Sequence, residues 1–405
     1  QALTAQTGTS GEVGNTSVGW KSGYSVTSGT RNTIVGAEAG DALTTGDSNV
    51  AIGQHSLGGD DTGNKSVAVG AESLYNQASD ADEDTNNTGV GYAAGYRNVT
   101  GKGNTYIGTQ SGFGASGQSN QENTAVGYYS LFAITTGKNN AVVGLAAGGA
   151  VTTASGSAFL GNNAGRGVTT GNQNIAIGND AMYGSTVIGD NNIAIGTSAG
   201  DAITSGNVNI LIGKAAGGAI TTAFTNIAIG INAFDAATTG IHSNVAIGDN
   251  AMGVTTGADM CTVVGSNAGG NGNMTSDADG TVLIGRSAGS SLTSGNGNTA
   301  VGYEALDAED EGNRSTAIGY QALSAQNNNT GGNTAVGWTA GDLIVAGYAN
   351  TLVGSEAGTT GTNDLTSGTL NTLIGQATAV GAAGATNQTV IGRGTIGQAD
   401  NSVTL

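Results

Sequence analysis

A short apolar phrase returns along nearly the whole chain: Asn, three mostly apolar residues, then Gly, as at 49–53 and 174–178. Its closing glycine occurs 22 times between Gly19 and Gly392, and 14 of the 21 gaps are 17 residues long. Self-similarity at a fixed short period is typical of a solenoid, in which each unit buries its apolar face against its neighbours. The pattern therefore predicts about 22 stacked coils with a 17-residue repeat.

The three residues before each closing glycine predict a β-strand. The residue directly before the glycine is Val or Ile in 21 copies, and the residue three before it is Thr, Val or Ile in 20. Alternating β-branched residues of this kind mark a buried strand face. The residue between them is Ala in 10 copies, larger and apolar in 10, and never charged. We therefore expect an all-β parallel β-roll or β-solenoid in which both strand faces are buried. A narrow coil can bury only one face, so the other needs a partner, most economically another copy of the chain.

Two positions of the repeat vary together, so that a large side chain at one accompanies a small side chain at the other. Eight coils place Leu, Met or Phe four residues after the closing glycine, and all eight have Ala in the middle of the strand, as in Ala51 with Leu57. Nine of the ten coils with a large middle residue have Gly or Ala at the later position, as in Leu211 with Gly217. Because packed cores tolerate exchanges that conserve volume, the two positions are expected to fill one layer. The pattern leaves open whether that layer lies inside one coil or at an axis between chains.

The opening asparagine is present in 16 of the 22 copies. Stacked at each level, these amides can form a ladder in which each bonds to the next; they can equally well satisfy the turn of their own coil. Both interpretations are structural. The candidate ladder residues are Asn49, Asn174, Asn192, Asn209, Asn226 and Asn298.

Composition narrows the class of protein. The chain has 74 glycines and no proline, which suits a backbone whose N–H groups join ladders at almost every level. A net charge of −18 argues against nucleic acid as a partner, and no apolar run approaches the roughly 20 residues that span a bilayer. We expect a lead-in at 1–14, a continuous repeat shaft at 15–396, and at 397–405 the start of a further coil or a connection to a C-terminal region.

The repeats resemble those of phage tail-fibre proteins, on residues such as Asn-Thr-Ala-Val-Gly-Tyr followed by Leu and Thr-Thr-Gly at 123–137. They are also similar to the head repeats of trimeric autotransporter adhesins, although those heads favour a shorter coil. The resemblance implies a left-handed, homotrimeric β-roll. The ending Ala-Asp-Asn-Ser-Val-Thr-Leu resembles the stretch that leads into a C-terminal self-cleaving chaperone domain in many tail fibres.

Motifs for catalysis are weak, and we expect neither an enzyme nor a cofactor. The segments 196–200 and 285–289 match Gly-x-Ser-x-Gly, which needs a strand-to-helix turn and a histidine partner to form a nucleophile elbow. The same slot holds other residues in other repeats, and His55 and His242 lie far apart in the stack. The single cysteine, Cys261, occupies an opening asparagine slot and is expected to be a small buried residue.

Acidic clusters offer a weak metal site. Asp80, Asp82, Glu83 and Asp84 are the candidates, because hard cations favour oxygen-rich loops. Further acidic residues lie at 277–279 and 307–311. None of these clusters matches a known calcium-loop pattern, so solvated acidic loops are the favoured interpretation.

Aromatic residues often follow the closing glycine directly. The candidates for surface contacts with a ligand are Trp20, Tyr128, Tyr303, Tyr320 and Trp338, with Tyr92 in the same position. Exposed rings can stack on sugars, or they can cover apolar edges of the coil, which is the favoured interpretation.

Together these features predict an extracellular structural fibre, most simply the homotrimeric shaft of a phage tail fibre that helps attach to a host cell surface. Its expected partners are two further copies of itself and a host surface glycan or protein, with no nucleic acid and no membrane insertion. The first alternative is the head of a bacterial trimeric surface adhesin. The second is a monomeric ice- or surface-binding solenoid, suggested by the repeated threonine; against it stands the expectation that this threonine shares a strand face with core Val and Ile.

Overall fold

The structure is a computed structural model that describes residues 2–6 and 13–405, except 80, 116, 118, 185, 237–239, 328, 330 and 362. Among these residues the regular structure is 23 short strands and one 3-10 helix at Ser276–Ala278. Each repeat contributes one strand, formed by the three residues before its closing glycine. The predicted all-β parallel solenoid with a 17-residue repeat is confirmed.

The chain forms two compact units, Gln1–Ser205 and Gly206–Leu405. The strands of the first unit are β1 (Thr16–Val18), β2 (Thr33–Val35), β3 (Val50–Ile52), β4 (Val67–Val69), β5 (Thr88–Val90), β6 (Thr105–Ile107), β7 (Thr124–Val126), β8 (Ala141–Val143), β9 (Ala158–Leu160), β10 (Ile175–Ile177) and β11 (Ile193–Ile195). Those of the second are β12 (Ile210–Ile212), β13 (Ile227–Ile229), β14 (Val245–Ile247), β15 (Thr262–Val264), β16 (Val282–Ile284), β17 (Thr299–Val301), β18 (Thr316–Ile318), β19 (Thr334–Val336), β20 (Thr351–Val353), β21 (Thr372–Ile374), β22 (Thr389–Ile391) and β23 (Val403–Thr404).

Within each unit the strands pair in parallel and in register, so equivalent residues of successive coils lie directly above one another. Ala51 in β3 pairs with Ala68 in β4, and Leu211 in β12 pairs with Ala228 in β13. The ladder continues past the strand ends: the N–H of Gly53 donates to the carbonyl of Val35 at 2.8 Å. A residue type that recurs once per repeat therefore forms a column along the stack.

The column of closing glycines explains why this residue never varies. Gly91 has a φ of +131°, which side chains rarely allow, and a Cβ placed on it would stand 2.6 Å from the carbonyl oxygen of Gly108 in the next coil. The same close approach recurs along the column. Glycine is required here both by the backbone conformation and by the stacking distance.

The inside of each coil is filled by the middle residue of the strand. Leu211, Ala228, Ala51 and Leu57 are all buried, and Ala51 and Leu57 lie in one core cluster. A Cβ on Gly217 would lie 2.6 Å from Cδ2 of Leu211, so the two positions compete for one space. This geometry supports the predicted exchange of volume and places the shared layer inside the coil.

The flanking strand residues point the other way and remain open to solvent in this chain. Ile52 and Val18, each directly before a closing glycine, are 38% and 59% exposed. The sequence leaves open which apolar face is enclosed within the chain, and the structure places the β-branched face outside. The Val and Ile that accompany the repeated threonine are therefore not core residues within this chain. The outer face, not the middle residue, is the apolar surface that lacks a partner among the described residues.

Candidate functional site

The opening asparagines lie at a buried corner of the coil and bond in two directions. Asn49 donates from Nδ2 to the carbonyl of Gly63 in its own coil at 2.8 Å. Its backbone N–H donates to Oδ1 of Asn32 in the preceding coil, also at 2.8 Å, and its own Oδ1 accepts the N–H of Ser66 in the following one. The amide thus closes its own turn and joins adjacent coils, which satisfies polar groups that would be costly to bury unpaired.

The other candidate asparagines are placed in the same way. Their Oδ1 atoms accept backbone N–H groups from the next coil: Asn174 from Asn192 at 2.9 Å, Asn209 from Asn226 at 3.1 Å, Asn226 from Asn244 at 3.1 Å, and Asn298 from Ser315 at 2.8 Å. Cys261 fills one such slot, and its N–H donates to Oδ1 of Asn244 at 2.9 Å. Burial raises the pKa of the Cys261 thiol to about 11, which keeps it neutral.

The aromatic residues directly after the closing glycine form short exposed stacks. Tyr303 and Tyr320 stack with ring centroids 5.2 Å apart, and Trp338 follows at 6.3 Å from Tyr320. The guanidinium of Arg286 lies 5.6 Å from the Tyr303 ring. A hydrogen bond from Tyr303 and another from a glutamine amide lower the pKa of the Glu304 carboxyl. This column covers the coil edge with rings in contact with one another.

Trp20 and Tyr128 stand apart from that stack. Trp20 is 59% exposed, and Nζ of Lys21 lies 4.5 Å from its ring centroid. Tyr128 meets Tyr129 edge-on, with centroids 4.0 Å apart. The structure therefore does not gather the six aromatic candidates into one site.

A second aromatic column lies five residues after the closing glycine in the first unit. Tyr75, Tyr96, Phe113 and Phe132 belong to four successive coils and stack with centroids 5.2–5.3 Å apart and planes 8–16° from parallel. The guanidinium of Arg97 lies 4.7 Å from the Phe113 ring. Near-parallel stacking of aromatic rings contributes stability beyond that of the apolar area that the rings bury.

The second column is interrupted after Phe132. Gly149 takes its position in the next coil, Arg166 in the coil after that, and then Tyr183, whose ring centroid lies 5.4 Å from the Arg166 guanidinium. Tyr129 stands at 85° to Phe132 with centroids 4.9 Å apart. Around the missing side chain lies a groove of about 620 Å3 lined by these residues. Grooves of this size with aromatic walls and a few polar groups are typical ligand sites.

A buried carboxylate replaces an aliphatic residue in one coil of the first unit. Asp60 is fully buried, and its Oδ1 accepts the N–H of Gly63 at 3.1 Å and of Ser79 at 3.2 Å. Its other oxygen accepts Nε2 of Gln77, whose Oε1 accepts Nδ2 of Asn87 at 2.9 Å. The carboxylate is thus bound into the coil interior by hydrogen bonds.

The second unit repeats this network, and it corrects one sequence-based expectation. Glu309 was expected in a solvated loop, but it is fully buried and accepts the N–H of Gly312 at 2.6 Å and Nε2 of Gln326. Gln326 in turn donates to Ser315 and accepts from Asn333, both within 2.9 Å. Its neighbour Glu311 is exposed as expected.

The weak metal candidates are drawn into pairs with other side chains. Asp80 lies outside the described residues. Lys65 pairs with Asp84, Lys102 with Glu83 at 2.6 Å, and Asn64 donates to Asp82 at 2.7 Å. Among the residues that the structure describes, no three His, Cys, Asp or Glu side chains are arranged to hold a metal ion.

The serines of the Gly-x-Ser-x-Gly matches lie on turns without a following helix. Ser198 and Ser287 have φ values of 54° and 56°, and each bonds to the coil before it through its N–H. His55 lies 3.3 Å from Glu38, and His242 stacks on Phe224. Within the described part of the chain, no helix is long and apolar enough to cross a bilayer.

Sequence reasoning missed the groove and its column. The signal was available, because Tyr75, Tyr96, Phe113 and Phe132 share one repeat position, but the repeat was aligned only on its strand and its first turn. No family model matches the chain, and no curated protein is significantly similar to it.

Proposed function

We propose that the protein is the shaft of a homotrimeric fibre, most simply a phage tail fibre that extends toward a host cell surface and helps attach to it. The observation that carries the proposal is the outer strand face. In the first unit it is a row of Val, Ile and Leu over eleven strands, about 50 Å long at the usual strand spacing. Monomeric proteins rarely leave so long an apolar surface in water.

The composition of the outer face favours protein over solvent as its neighbour. In β10 and β11 both outward residues are isoleucine, and the same holds for β12 and β13 in the second unit. None of the outward strand residues carries a charge. Covering this face would remove apolar area from water at roughly 25 cal/mol per Å2.

A second copy of the chain fits this face because equivalent residues of successive coils are in register within each unit. Copies related by rotation about an axis parallel to the columns bring identical residues together at every level. Closed rotational symmetry is the usual solution for such self-complementary surfaces. Three copies are preferred to two because the repeats resemble those of trimeric fibres and adhesins.

The oligomeric state tests the proposal directly. Mass photometry of the purified protein should give three times the 39.1 kDa chain mass. Ile229→Glu, on the outer face, should dissociate the assembly, because burying an unpaired charge is costly. Thr170→Glu, at an exposed turn, is the matched control and should leave the mass unchanged. A stable monomer, or a trimer that survives Ile229→Glu, rules out this interface.

The cellular role needs a separate experiment. Antibodies against the protein should label tail structures of phage particles released from the producing culture. Labelling confined to the surface of bacterial cells would instead support the adhesin role, which predicts the same fold and the same trimer.

One observation favours a second candidate function, an ice- or surface-binding solenoid. The six strands from β17 to β22 all read Thr-x-Val or Thr-x-Ile, and the threonines share the outer face rather than a core. The argument from sequence against this function, which places these threonines on a core face, therefore no longer applies. Thermal hysteresis of a freezing solution tests it, and a trimer that buries these threonines would exclude it.

A further inference from the structure

The interrupted aromatic column of the first unit leaves one position of the stack open. Rings on successive coils are 5.2 Å apart, and Phe132 and Arg166 occupy the column two levels apart, with Gly149 between them. A ring between two flat groups needs about 3.5–4 Å on each side. The opening at Gly149 therefore has the height of one inserted ring.

Gly58 and Gly253 occupy the same repeat position and are covered by neighbouring side chains, whereas Gly149 is not. A Cβ on Gly58 would meet the Tyr75 ring at 3.0 Å, and one on Gly253 would collide with the Asn250 side chain. A Cβ on Gly149 would lie 3.0 Å from the carbonyl oxygen of Ala146 in its own turn, and the nearest side-chain atom is Cγ of Arg166, at 3.8 Å. The vacant position at Gly149 is thus a groove rather than a packed gap.

The charges at the groove contrast with those of the whole protein. The chain has a net charge of −18, yet no residue lining the groove is acidic. Arg166 is exposed, donates to the Tyr183 hydroxyl at 3.0 Å, and makes no ion pair among the described residues. Four of its five N–H donors remain for a ligand, in a geometry that matches a carboxylate.

We propose that the vacant position binds the pyranose ring of an acidic sugar, of the uronic or sialic acid type. The C–H face of the sugar stacks on Phe132, Tyr129 forms the side wall, and the sugar carboxylate pairs with Arg166. Aromatic faces supply apolar contact, and the guanidinium supplies charge-assisted hydrogen bonds and selectivity. The biological purpose of this site rests on the attachment role proposed above, but its assay is independent of the oligomeric state.

The probes are sialyllactose and a galacturonate trisaccharide, with lactose as the neutral control, titrated into the full chain by calorimetry. We expect at least one of the two acidic probes to bind, and we expect lactose to bind at least about tenfold more weakly. Binding should weaken as salt rises, because it depends on a charge pair at an exposed site.

Two variants locate the site. Gly149→Phe should abolish binding by completing the ring stack; Phe132 shows that the column accepts this side chain, and Gly149 has no left-handed φ. Arg166→Gln should weaken binding of the acidic probe roughly tenfold or more and leave lactose unaffected. Arg393→Gln removes the same charge at another exposed position and should change nothing.

Each other outcome overturns the proposal. Failure of both acidic probes to bind at low-millimolar concentration removes the ligand class, and lactose binding as tightly as they do removes the role of Arg166. Binding that survives Gly149→Phe places the ligand elsewhere. If Gly149→Phe does not fold, the comparison of Arg166→Gln with Arg393→Gln decides alone whether the ligand binds in the groove. A change in oligomeric mass is measured separately and tests only the proposed trimer.

Discussion

The two faces of each strand are almost equally apolar, yet one is sealed within the chain and the other is open. Leu211 and Ala228 are fully buried, whereas their strand neighbours Ile212 and Ile229 are partly exposed. The inner face obeys a volume rule that couples two positions of the repeat, and the outer face keeps Val or Ile regardless of what lies inside. An enclosed layer therefore constrains the summed volume of the side chains that fill it. An open surface constrains only the shape and polarity of each side chain.

The largest contrast should come from placing one charge on either side of β13. Ala228→Asp buries an unpaired carboxylate and should cost at least about 4 kcal/mol, enough to unfold the surrounding coils. Ile229→Asp, one residue later, should leave the chain folded and prevent association. Circular dichroism with urea unfolding reports folding, and mass photometry reports association. Similar folding defects in both variants would contradict the assignment of the two faces.

Truncating a side chain on the inner face should lower the free energy of unfolding by less than burying a charge there. Leu211→Ala opens a cavity and should lower the free energy of unfolding by about 2–5 kcal/mol, less if adjacent coils relax. Ile212→Ala is the matched outer change and should cost less in a single chain. Both are measured by urea unfolding in an Ile229→Asp background, so that both are monomers. Equal losses would show that the outer face is buried within the chain as well.

Restoring the lost volume from the other position should recover part of that loss. Gly217→Leu alone is expected to destabilise the protein, because its Cβ would lie 2.6 Å from Leu211, but in Leu211→Ala it should stabilise. The backbone allows the change: Gly217 has a φ of 59°, and Leu57 adopts 51° at the equivalent position. Unfolding free energies of the four proteins form a double-mutant cycle. Strictly additive values would refute the shared layer.

The smallest effect on stability is expected from a thiol comparison. Cys261 is buried with a pKa of about 11, so at pH 8 it should react slowly with iodoacetamide until the protein unfolds. In a Cys261→Ser background, Val264→Cys places a thiol on the outer face of the nearby strand β15. It should react quickly in a monomer and slowly in a trimer. Because the pKa of Cys261 is raised on folding, its stabilising contribution is complete below the unfolded pKa and is lost as pH rises toward 11.

The period, strand positions and closing glycines could be predicted from the sequence because each recurs in all 22 repeats. Which face turns inward could not, since Ala51 and Ile52 are both apolar and hydrophobicity does not encode the direction of curvature. The volume exchange between Leu211 and Gly217 indicates an enclosed layer, but it does not distinguish the inside of one coil from an axis between chains.

The groove and the buried carboxylates were missed for a different reason. Glu309 lies next to other acidic residues in the sequence, whereas its partner Gln326 belongs to the following coil and is itself bonded to Asn333, which opens the next strand. Likewise, the Phe132 stack and the vacancy at Gly149 exist only between coils. The properties of a column can be predicted only when the repeats are aligned at every position, including their inserted residues.

The closing glycine column also determines where this architecture can accept new sequence. From the opening asparagine to the closing glycine, each coil is held to its neighbours by the parallel ladder and by asparagine hydrogen bonds, and the glycine itself leaves no room for a Cβ. The longer repeats all take their extra residues beyond that segment, as with the 3-10 helix at Ser276–Ala278. One side of the coil therefore acts as a fixed frame and the other as an insertion site. Loops for new recognition could be grafted where the longer repeats already take their extra residues, because the strand ladder keeps its register there.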